Sequence, residues 1–456
     1  MSANSTLDSN GLTKALVERC RGLTAAGIPD DASIAARQCL LDWLGVTLAG
    51  AREPLTAILR EEALAEGGHP RATLVGSGER VSLQQAALIN GAASHALDFD
   101  DVQMAMIGHP TVPVLPALLA LGEEANATVG DVLTSFIVGV EMECRLGLAV
   151  MPGHYATGFH ATGTLGTFGA AAGCAHFLGL NREQWLAAMG IAGAQAAGLK
   201  SMFGTMCKPF HAGKAAANGM LAAQLARRGF TSNPAVMETP QGFAATQTPA
   251  FHPELALADD MPLAVCSVLF KYHAACYGTH ETIEGVLRLK HAHGFRASQV
   301  RQIRLRVPVA NLTMCNIEAP ATALEGKFSM RFTAALAAAR DDTSEAAFTD
   351  SSVREGDLVD LRQRVVVEGA SVPDGTEVTI ALVDGRELHE RVNLNIPETD
   401  LDRQWERLRR KFLSLATPVV GSAQAAELLA RIENLDPATP VRGLIQLSVP
   451  QLVGAR

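Results

Sequence analysis

The sequence lacks several features that would each define a class of protein. Its 8 cysteines include no Cys-x-x-Cys pair, which argues against a structural zinc site or a disulfide framework and favours reduced thiols in the cytoplasm. No run of about twenty apolar residues is present, so we expect no membrane span. Residues 1–10 are polar and lack the charged and apolar regions of a secretion signal. Together these absences predict a soluble, cytoplasmic protein.

Signals for nucleic acids and nucleotides are also missing. The chain has 47 acidic side chains against 38 lysines and arginines, a formal net charge of −9, so nucleic acid is not an expected partner. The glycine-rich stretch from Gly163 to Gly169 lacks the Gly-x-Gly-x-x-Gly order that follows a strand in dinucleotide-binding folds, and no Walker sequence is present. We interpret these glycines as a helix start that allows close packing. No cofactor is predicted.

Helical patterning dominates the first half of the chain. With 456 residues, of which 48% are hydrophobic, the protein can bury large cores, and its length predicts two or three domains. Residues 11–266 are rich in Ala, Leu and Gly, and apolar residues recur at helical spacing in residues 33–49. Further helices are predicted at residues 55–65, 82–95, 114–124, 128–150, 166–178, 182–197 and 214–228.

Strand patterning begins after residue 267. Residues 300–307 alternate so that Ile303, Leu305 and Val307 share one face. Three more strands are predicted at residues 364–367, 377–382 and 387–392, with helices at 280–290, 328–340, 400–415 and 422–432. The sequence therefore predicts a mainly α protein with an α+β part. Residues 1–266 form a large all-helical domain, residues 267–399 form an α+β domain, and residues 400–456 are C-terminal helices that return to the helical domain.

The chain has few lysines, and three of them lie within one short stretch. Lys208, His211 and Lys214 follow one another at spacings of three near the start of an alanine-rich helix, and Lys200 precedes them. Residues three apart share a helix face, so several cations are expected to point the same way. A solvated helix end would explain the same pattern. The surrounding Gly, Ala, Met and Phe favour a partly buried position, where cations need a carboxylate or an anionic ligand.

Carboxylates and histidines are concentrated just before residue 110. The members of this group are His95, Asp98, Asp100, Asp101 and His109. Such a set suits general acid–base chemistry or a metal ion. A metal is the weaker interpretation, because no His-x-x-His or His-x-x-x-His pair supplies nitrogen ligands. The structural alternative is an exposed turn with helix-capping aspartates, but apolar residues alternate with the acids and predict partial burial.

Two further polar clusters contain histidine. His160 and Thr162 come directly before the glycine-rich stretch. Lys271, Cys276 and His280 lie at the junction of the two predicted domains. Ligand sites are common at such junctions.

These motifs together resemble the MmgE/PrpD family, which includes 2-methylcitrate dehydratases, cis-aconitate decarboxylases and iminodisuccinate epimerase. The resemblance covers nearly the whole chain, and the order and spacing of the motifs are more specific than any one of them. The motifs lie at residues 41–45, 96–101, 108–110, 158–163, 208–213, 271–280 and 325–329.

The resemblance implies a large helical domain, a smaller α+β lid domain, a homodimer and an active site between the domains, with no metal or nucleotide required. By motif, the positions implicated in catalysis are Asp98, His109, His160, Lys208 and Lys271. The expected substrate-binding residues are His211, Cys276, Lys200 and His280. The implied substrates are small di- or tricarboxylic acids, whose charges clustered cations bind while an enolate-like carbanion develops.

Two positions depart from the decarboxylase pattern that the resemblance implies. Cys276 stands where those members have a second histidine, and Met314 stands where they have a tyrosine. We therefore expect a cofactor-independent lyase most like 2-methylcitrate dehydratase. A dicarboxylate epimerase that returns the proton to the opposite face is the main alternative. A cis-aconitate-type decarboxylase and a non-catalytic binding protein are further alternatives.

Overall fold

The computed structural model of the chain describes residues 11–370 and 375–451. The predicted absence of a secretion signal concerns residues 1–10, which lie outside this range. Two compact units are present: residues 11–270 together with 399–451, and the described part of residues 271–398. Across the described residues, no helix has both the length and the apolarity that a membrane crossing needs.

Helices make up most of the first unit and alternate with strands in the second. The helices are α1 Leu12–Arg21, α2 Asp30–Gly50, α3 Pro54–Glu66, α4 Leu83–His95, α5 Thr111–Ala125, α6 Val129–Val150, α7 Gly153–Thr157, α8 Ala161–Phe177, α9 Arg182–Gly193, α10 Cys207–Arg227, α11 Phe243–Gln247, α12 Pro253–Ala256, α13 His280–His293, α14 Val309–Met314, α15 Ala323–Lys327, α16 Met330–Ala339, α17 Asp350–Arg354, α18 Gly356–Arg362, α19 Leu401–Val420, α20 Ser422–Glu433 and α21 Val441–Leu447. The strands are β1 Ala72–Thr73, β2 Arg80–Val81, β3 Val300–Pro308, β4 Val365–Ala370, β5 Thr376–Leu382 and β6 Glu387–Val392. The predicted fold class, mainly α with an α+β part, is confirmed.

Small residues let the central helices of the first unit pack closely. Helix α4 crosses α10 at Gly91 and Gly213, where a Cβ on Gly213 would lie 2.1 Å from the carbonyl oxygen of Leu88. Helix α10 meets α8 at Gly219, where an added Cβ would lie 2.5 Å from the Cβ of Ala170. No side chain larger than hydrogen fits at such distances, so these glycines set the separation of the helices.

The C-terminal helices belong to the first unit, and α19 packs on α2. A Cβ on Gly45 of α2 would lie 3.1 Å from the ring of Phe412. Lys411 Nζ lies 2.6 Å from Asp42 Oδ1, and both side chains are buried. Sequence-distant segments thus share one core.

The second unit contains a four-stranded mixed sheet in the order β4-β3-β5-β6. Strand β3 is parallel to β4 and antiparallel to β5, and β5 pairs antiparallel with β6. Ile303, Leu305 and Val307 are fully buried, as their alternation predicts. Helix α13 packs closely on the sheet at Gly285, where a Cβ would lie 2.6 Å from a methyl group of Val378. The interpretation of this unit as a lid stays a prediction.

Two helices that position the site begin earlier than predicted. Helix α8 begins at Ala161 rather than at residue 166, and α10 begins at Cys207 rather than at residue 214. Glycine at positions 163 and 166 weakens the helical pattern in the sequence, but close packing with neighbouring helices favours glycine there.

Candidate functional site

The segment between α4 and α5 is folded so that its acids point inward. Helix α4 ends at His95, and Asp98 has a left-handed backbone with φ of 51°, which aspartate tolerates better than most residues. The chain then turns back on itself, because the Gln103 N–H donates to the carbonyl oxygen of Gly108 at 2.8 Å. Helix α5 begins at Thr111. The predicted partial burial of this segment is confirmed, since Asp100 is 1% exposed.

Asp100 lies between two imidazole rings. Its carboxylate accepts from His95 Nδ1 at 2.8 Å and lies 2.9 Å from His109 Nδ1. His109 Nδ1 also lies 2.8 Å from the carbonyl oxygen of Asp101. Burial alone would raise the pKa of Asp100, but the imidazoles of His109 and His95 lower it well below its usual range. Burial lowers the pKa of His95 to about 4, so this imidazole is neutral at pH 7.

Asp98 binds Lys208, one of the three lysines between residues 200 and 214 (the cationic stretch). Lys208 Nζ donates to Asp98 Oδ1 at 2.6 Å, and His109 Nε2 lies 3.7 Å from the same oxygen. The side chains of Lys208 and Asp98 are 13% and 21% exposed, so the pair is only partly open to solvent. A lysine, a carboxylate and an imidazole therefore share one small region at the start of α10.

Two more histidines lie beside this group. His160 is the residue before α8. Its Nδ1 lies 3.0 Å from Nδ1 of His211 on α10. One of these two nitrogens therefore carries the proton of the hydrogen bond between them. Burial lowers the pKa of His160 well below its usual value, and nearby His95 and Lys208 add to the effect. Burial also lowers the pKa of His211, again with a contribution from Lys208. Both imidazoles are therefore neutral at pH 7, which is the form that can accept a proton, while the lowered pKa makes each a weaker base.

The other two lysines of the cationic stretch behave differently. Lys214 is exposed, so the expectation that it points the same way as Lys208 is wrong. The reason is helical geometry: six residues at about 100° each place Lys214 about 120° around the helix from Lys208. Lys200 Nζ donates to the carbonyl oxygen of Tyr155 at 3.1 Å and lies 3.7 Å from the centre of the Tyr155 ring. Its role in substrate binding stays a prediction.

A second layer of acids is buried behind the histidines. The Thr111 hydroxyl donates to Asp101, yet burial and the nearby charge of Asp42 raise the pKa of Asp101 to about 8. Glu143 of α6 is also fully buried, and neither of its carboxyl oxygens has a hydrogen-bond partner among the described residues. Burial, then the proximity of Asp101, raises the pKa of Glu143 well above its usual value. The pKa of Asp101 therefore lies above neutral pH, and the pKa of Glu143 is shifted in the same direction.

Four of the side chains lie close enough to hold a metal ion. Ligand atoms from His95, Asp98, Asp100 and His109 all lie within 4.8 Å of one another. However, these groups already satisfy one another, because Asp100 accepts from two imidazoles and Asp98 accepts from Lys208. We therefore describe the cluster as an acid–base network. The expectation that no metal is required stays a prediction.

The predicted residues of the second unit are buried. The His280 Nε2–H donates to the carbonyl oxygen of Ala275 at 3.1 Å, and burial, followed by the proximity of His273 and Lys271, lowers the pKa of His280 well below its usual value. Lys271 is 1% exposed. The thiol of Cys276 is buried and hydrogen-bonds that of Cys315, which with burial raises the pKa of the Cys315 thiol.

Comparison with known proteins identifies the family. The model of the MmgE/PrpD N-terminal domain matches residues 14–256, and that of the MmgE/PrpD C-terminal domain matches residues 273–436. The chain belongs to the MmgE/PrpD family. The resemblance seen in the motifs is thereby confirmed.

Several curated proteins are similar to this MmgE/PrpD chain over almost its whole length. The human protein named cis-aconitate decarboxylase is 26% identical over 451 residues, which cover 93% of this chain and 92% of that protein. The mouse protein of the same name is also 26% identical, over 93% of this chain and 91% of its own. The cis-aconitate decarboxylase of Aspergillus terreus is 25% identical, over 96% of this chain and 97% of that protein.

For two members of the network in this MmgE/PrpD chain, His95 and Asp100, the sequence predicts membership of the polar group but no catalytic or substrate-binding role. His95 has the pattern of a core residue at the end of a helix, and Asp100 is one of three nearby aspartates. Only the turn at Asp98 reveals which aspartate faces the histidines. The close spacing of His95 and Asp100 was the one available signal.

Proposed function

We propose that this protein is a cofactor-independent lyase that removes a proton next to a carboxylate of a small di- or tricarboxylic acid. The observation that carries the proposal is the contact of Lys208 with Asp98, with His109, His160 and His211 close by. The lysine supplies positive charge for a substrate carboxylate and for the enolate-like state that forms when the proton leaves. The neutral imidazoles of His160 and His211 supply proton acceptors.

The site residues that lie in the first unit each have a chemical role in this proposal. Lys208 binds the carboxylate next to the reacting carbon, and Asp98 keeps its ammonium in place. His160 is held neutral by burial, so it is available to take the proton. His109 faces Asp98 through Nε2 and relays protons. Lys271, Cys276 and His280 stay proposed contributors on the strength of their family motifs.

Dehydration is the reaction that we propose first. Once the proton has left, the carbanion expels a β-hydroxyl group as water if a protonated imidazole donates to that oxygen, and an unsaturated acid results. The network offers more than one imidazole, so one removes a proton while another gives one. A 2-methylcitrate-type hydroxy acid would satisfy this sequence. Cys276 and Met314 stand where the decarboxylase pattern has histidine and tyrosine, which supports dehydration over decarboxylation.

Decarboxylation is a second candidate, because the named relatives are cis-aconitate decarboxylases. In that reaction the same cations would stabilise the carbanion left by the departing carbon dioxide, and an imidazole would protonate it. An epimerase of the iminodisuccinate type would use the same groups and return the proton to the opposite face. These reactions differ in their products, so one experiment separates them.

The test is proton NMR in heavy water with chelator-treated protein and a panel of 2-methylcitrate, cis-aconitate and iminodisuccinate. Dehydration gives alkene signals from 2-methylcitrate. Decarboxylation consumes cis-aconitate with release of carbon dioxide, and epimerisation exchanges the α-hydrogen without net alkene formation. Absence of exchange and turnover with every acid would refute the proposal. Activity lost on chelation and restored by a metal would refute the cofactor-independent part.

A matched pair of lysine variants on α10 tests the site itself. Lys208→Met removes the charge that contacts Asp98 and is expected to lower turnover roughly 10²–10³-fold, the size of effect seen when one group that stabilises an oxyanion is lost. Lys214→Met removes an exposed charge from the same helix and should leave turnover unchanged. Equal effects of the two substitutions on turnover would show that Lys208 acts only through general surface charge.

A further inference from the structure

The shared carboxylate of Asp100 fixes the protons on two histidines. His109 Nδ1 lies 2.9 Å from Asp100 Oδ2 and 2.8 Å from the carbonyl oxygen of Asp101, and both of these atoms are acceptors. Nδ1 of His109 must therefore carry a hydrogen. The remaining nitrogen, Nε2, faces Asp98 at 3.7 Å and is the only ring nitrogen of His109 left to exchange a proton.

His95 holds the same carboxylate from the other side. Its Nδ1 lies 2.8 Å and 3.0 Å from the two oxygens of Asp100. The His95 ring is 1% exposed and its centre lies 4.4 Å from that of His109. Its own Nε2 is buried without a hydrogen-bond partner among the described residues, and burial outweighs the effect of Asp100, so the pKa of His95 falls to about 4 and the ring is neutral. A neutral imidazole orients Asp100 without neutralising its negative charge.

We propose that Asp100 and His95 are positioning residues that hold His109 with its hydrogen on Nδ1, so that Nε2 exchanges protons in the site. The inference rests on the proposed function for its kinetic consequences. When His109 Nε2 takes a proton, the imidazolium is stabilised by the adjacent Asp100 carboxylate, as in other carboxylate–histidine pairs. His95 acts through Asp100 and has no direct contact with substrate in this scheme.

Several titratable groups of the first unit surround His109. The groups of the first unit that face it are Asp98, Asp100, His95, His160 and Lys208. Of these, Asp100 is the anion in direct contact with the protonated nitrogen. Its removal is therefore expected to make His109 a weaker base and to move the acidic limb of the rate profile to lower pH.

The kinetic test compares substitutions that keep or remove the hydrogen bonds of Asp100. Asp100→Asn is expected to lower kcat roughly 10²–10⁴-fold with a smaller change in KM, because a neutral amide no longer stabilises the imidazolium and only the carbonyl oxygen of Asp101 still accepts from Nδ1. His95→Leu is expected to lower kcat about 10–100-fold, as is common for an outer partner of a functional histidine. His95→Gln keeps an N–H for Asp100 and should retain more activity. His176→Gln is the control, since His176 bonds to Ser135 and Leu23 at the other end of α8.

The structural test needs no turnover. Protein labelled with ¹⁵N in histidine reports which ring nitrogen carries hydrogen, and the His109 signals are assigned by their loss in His109→Asn. Neutral His109 is expected with hydrogen on Nδ1 in the wild type and with a larger share of its hydrogen on Nε2 in Asp100→Asn, where only the carbonyl oxygen of Asp101 still accepts from Nδ1. Hydrogen on Nε2 in the wild type, or an unchanged rate profile in folded Asp100→Asn, overturns the inference. If the wild type turns over none of the acids, the proposed function fails, and the tautomer still decides the positioning role.

Discussion

At the residue scale, the site depends on neighbouring aspartates that have different partners. Asp98 contacts Lys208, whereas Asp100 contacts His95 and His109. In an extended strand these two aspartates would lie on the same face. The left-handed turn at Asp98 breaks that relation, so each carboxylate reaches its own partner. The chemistry of the segment therefore follows from one backbone angle as much as from residue type.

Glu143 provides a prediction about pH and stability. Its folded pKa is raised, so its protonated form favours folding below its ordinary pKa near 4.5 and this contribution is lost as pH rises toward the raised value. Glu143→Gln cannot ionise. We therefore expect the free energy of unfolding of the variant, relative to the wild type, to increase as pH rises above 5, by at most about 1.4 kcal/mol per pH unit.

Urea unfolding at several pH values measures this difference. Glu62→Gln, on the exposed face of α3, is the control and should show no change relative to the wild type across the same range. A constant difference between Glu143→Gln and the wild type would mean that Glu143 has the same pKa in the folded and unfolded protein.

The residue types of the site were predictable from the sequence, but their partners were not. His160, Lys208, Asp98 and His109 were selected because of their motifs, and the first unit brings these four side chains into one region. Their roles in catalysis stay predictions. His95 belongs to the polar group that the sequence predicts before residue 110, but its spacing does not show which carboxylate it contacts. The pairing of His95 with Asp100 can be recognised only when the left-handed turn at Asp98 is known.

At the element scale, most helix positions followed from periodicity, but the starts of α8 and α10 did not. Strand β3 and helix α2 agree closely with their sequence patterns, because alternation and 3.6-residue spacing report directly on burial. Helix α10 begins at Cys207, seven residues before its predicted start. Gly213 weakens the local helical signal, but the crossing with α4 requires a residue without a side chain there. Tertiary packing thus overrides local propensity.

The crossing of α4 and α10 yields a prediction about both stability and activity. Gly213→Ala places a Cβ 2.1 Å from the carbonyl oxygen of Leu88, so the helices must move apart. We expect a loss of about 1–3 kcal/mol in the free energy of unfolding, as for other overpacked cores. Because the crossing lies about one turn from His95 and Lys208, turnover should also fall in protein that remains folded.

Urea unfolding and the NMR turnover assay measure the two effects. Gly443→Ala in α21 is the matched control, because its Cβ has only one neighbour, 3.9 Å away on Arg431. This control is expected to gain about 0.5–1 kcal/mol from helix propensity. If Gly213→Ala behaved like the control, close approach of the helices would not be what positions the site.

At the scale of the whole molecule, the chain leaves the first unit at residue 270 and returns to it at residue 399. Helix α19, which follows this return, also contacts the segment that contains Asp98 and Asp100. Lys411 Nζ donates to the carbonyl oxygen of Phe99 at 2.6 Å and lies 4.1 Å from the centre of its ring. Phe99 stands between Asp98 and Asp100. The C-terminal helices therefore support the segment that carries both functional aspartates.

Lys411 provides the prediction for this scale. Lys411→Met leaves Asp42 buried without the ammonium that lies 2.6 Å from it, and removal of one partner of a buried ion pair typically costs about 3–5 kcal/mol. It also removes the donor to Phe99, so turnover should fall even below the melting temperature of the variant. Arg410→Met is the adjacent control: its side chain is 72% exposed, and loss of its pair with Glu406 should change stability by less than about 0.5 kcal/mol.

The double variant Asp42→Asn with Lys411→Met separates the two roles of the lysine. Removing the buried charge of Asp42 should recover much of the stability lost in Lys411→Met. It does not restore the hydrogen bond to Phe99, so turnover should stay low. Recovery of stability and turnover together would mean that the contact with Phe99 is incidental and that α19 contributes only to the core. Recovery of stability alone would establish that a helix more than 300 residues away in the chain positions Asp98 and Asp100.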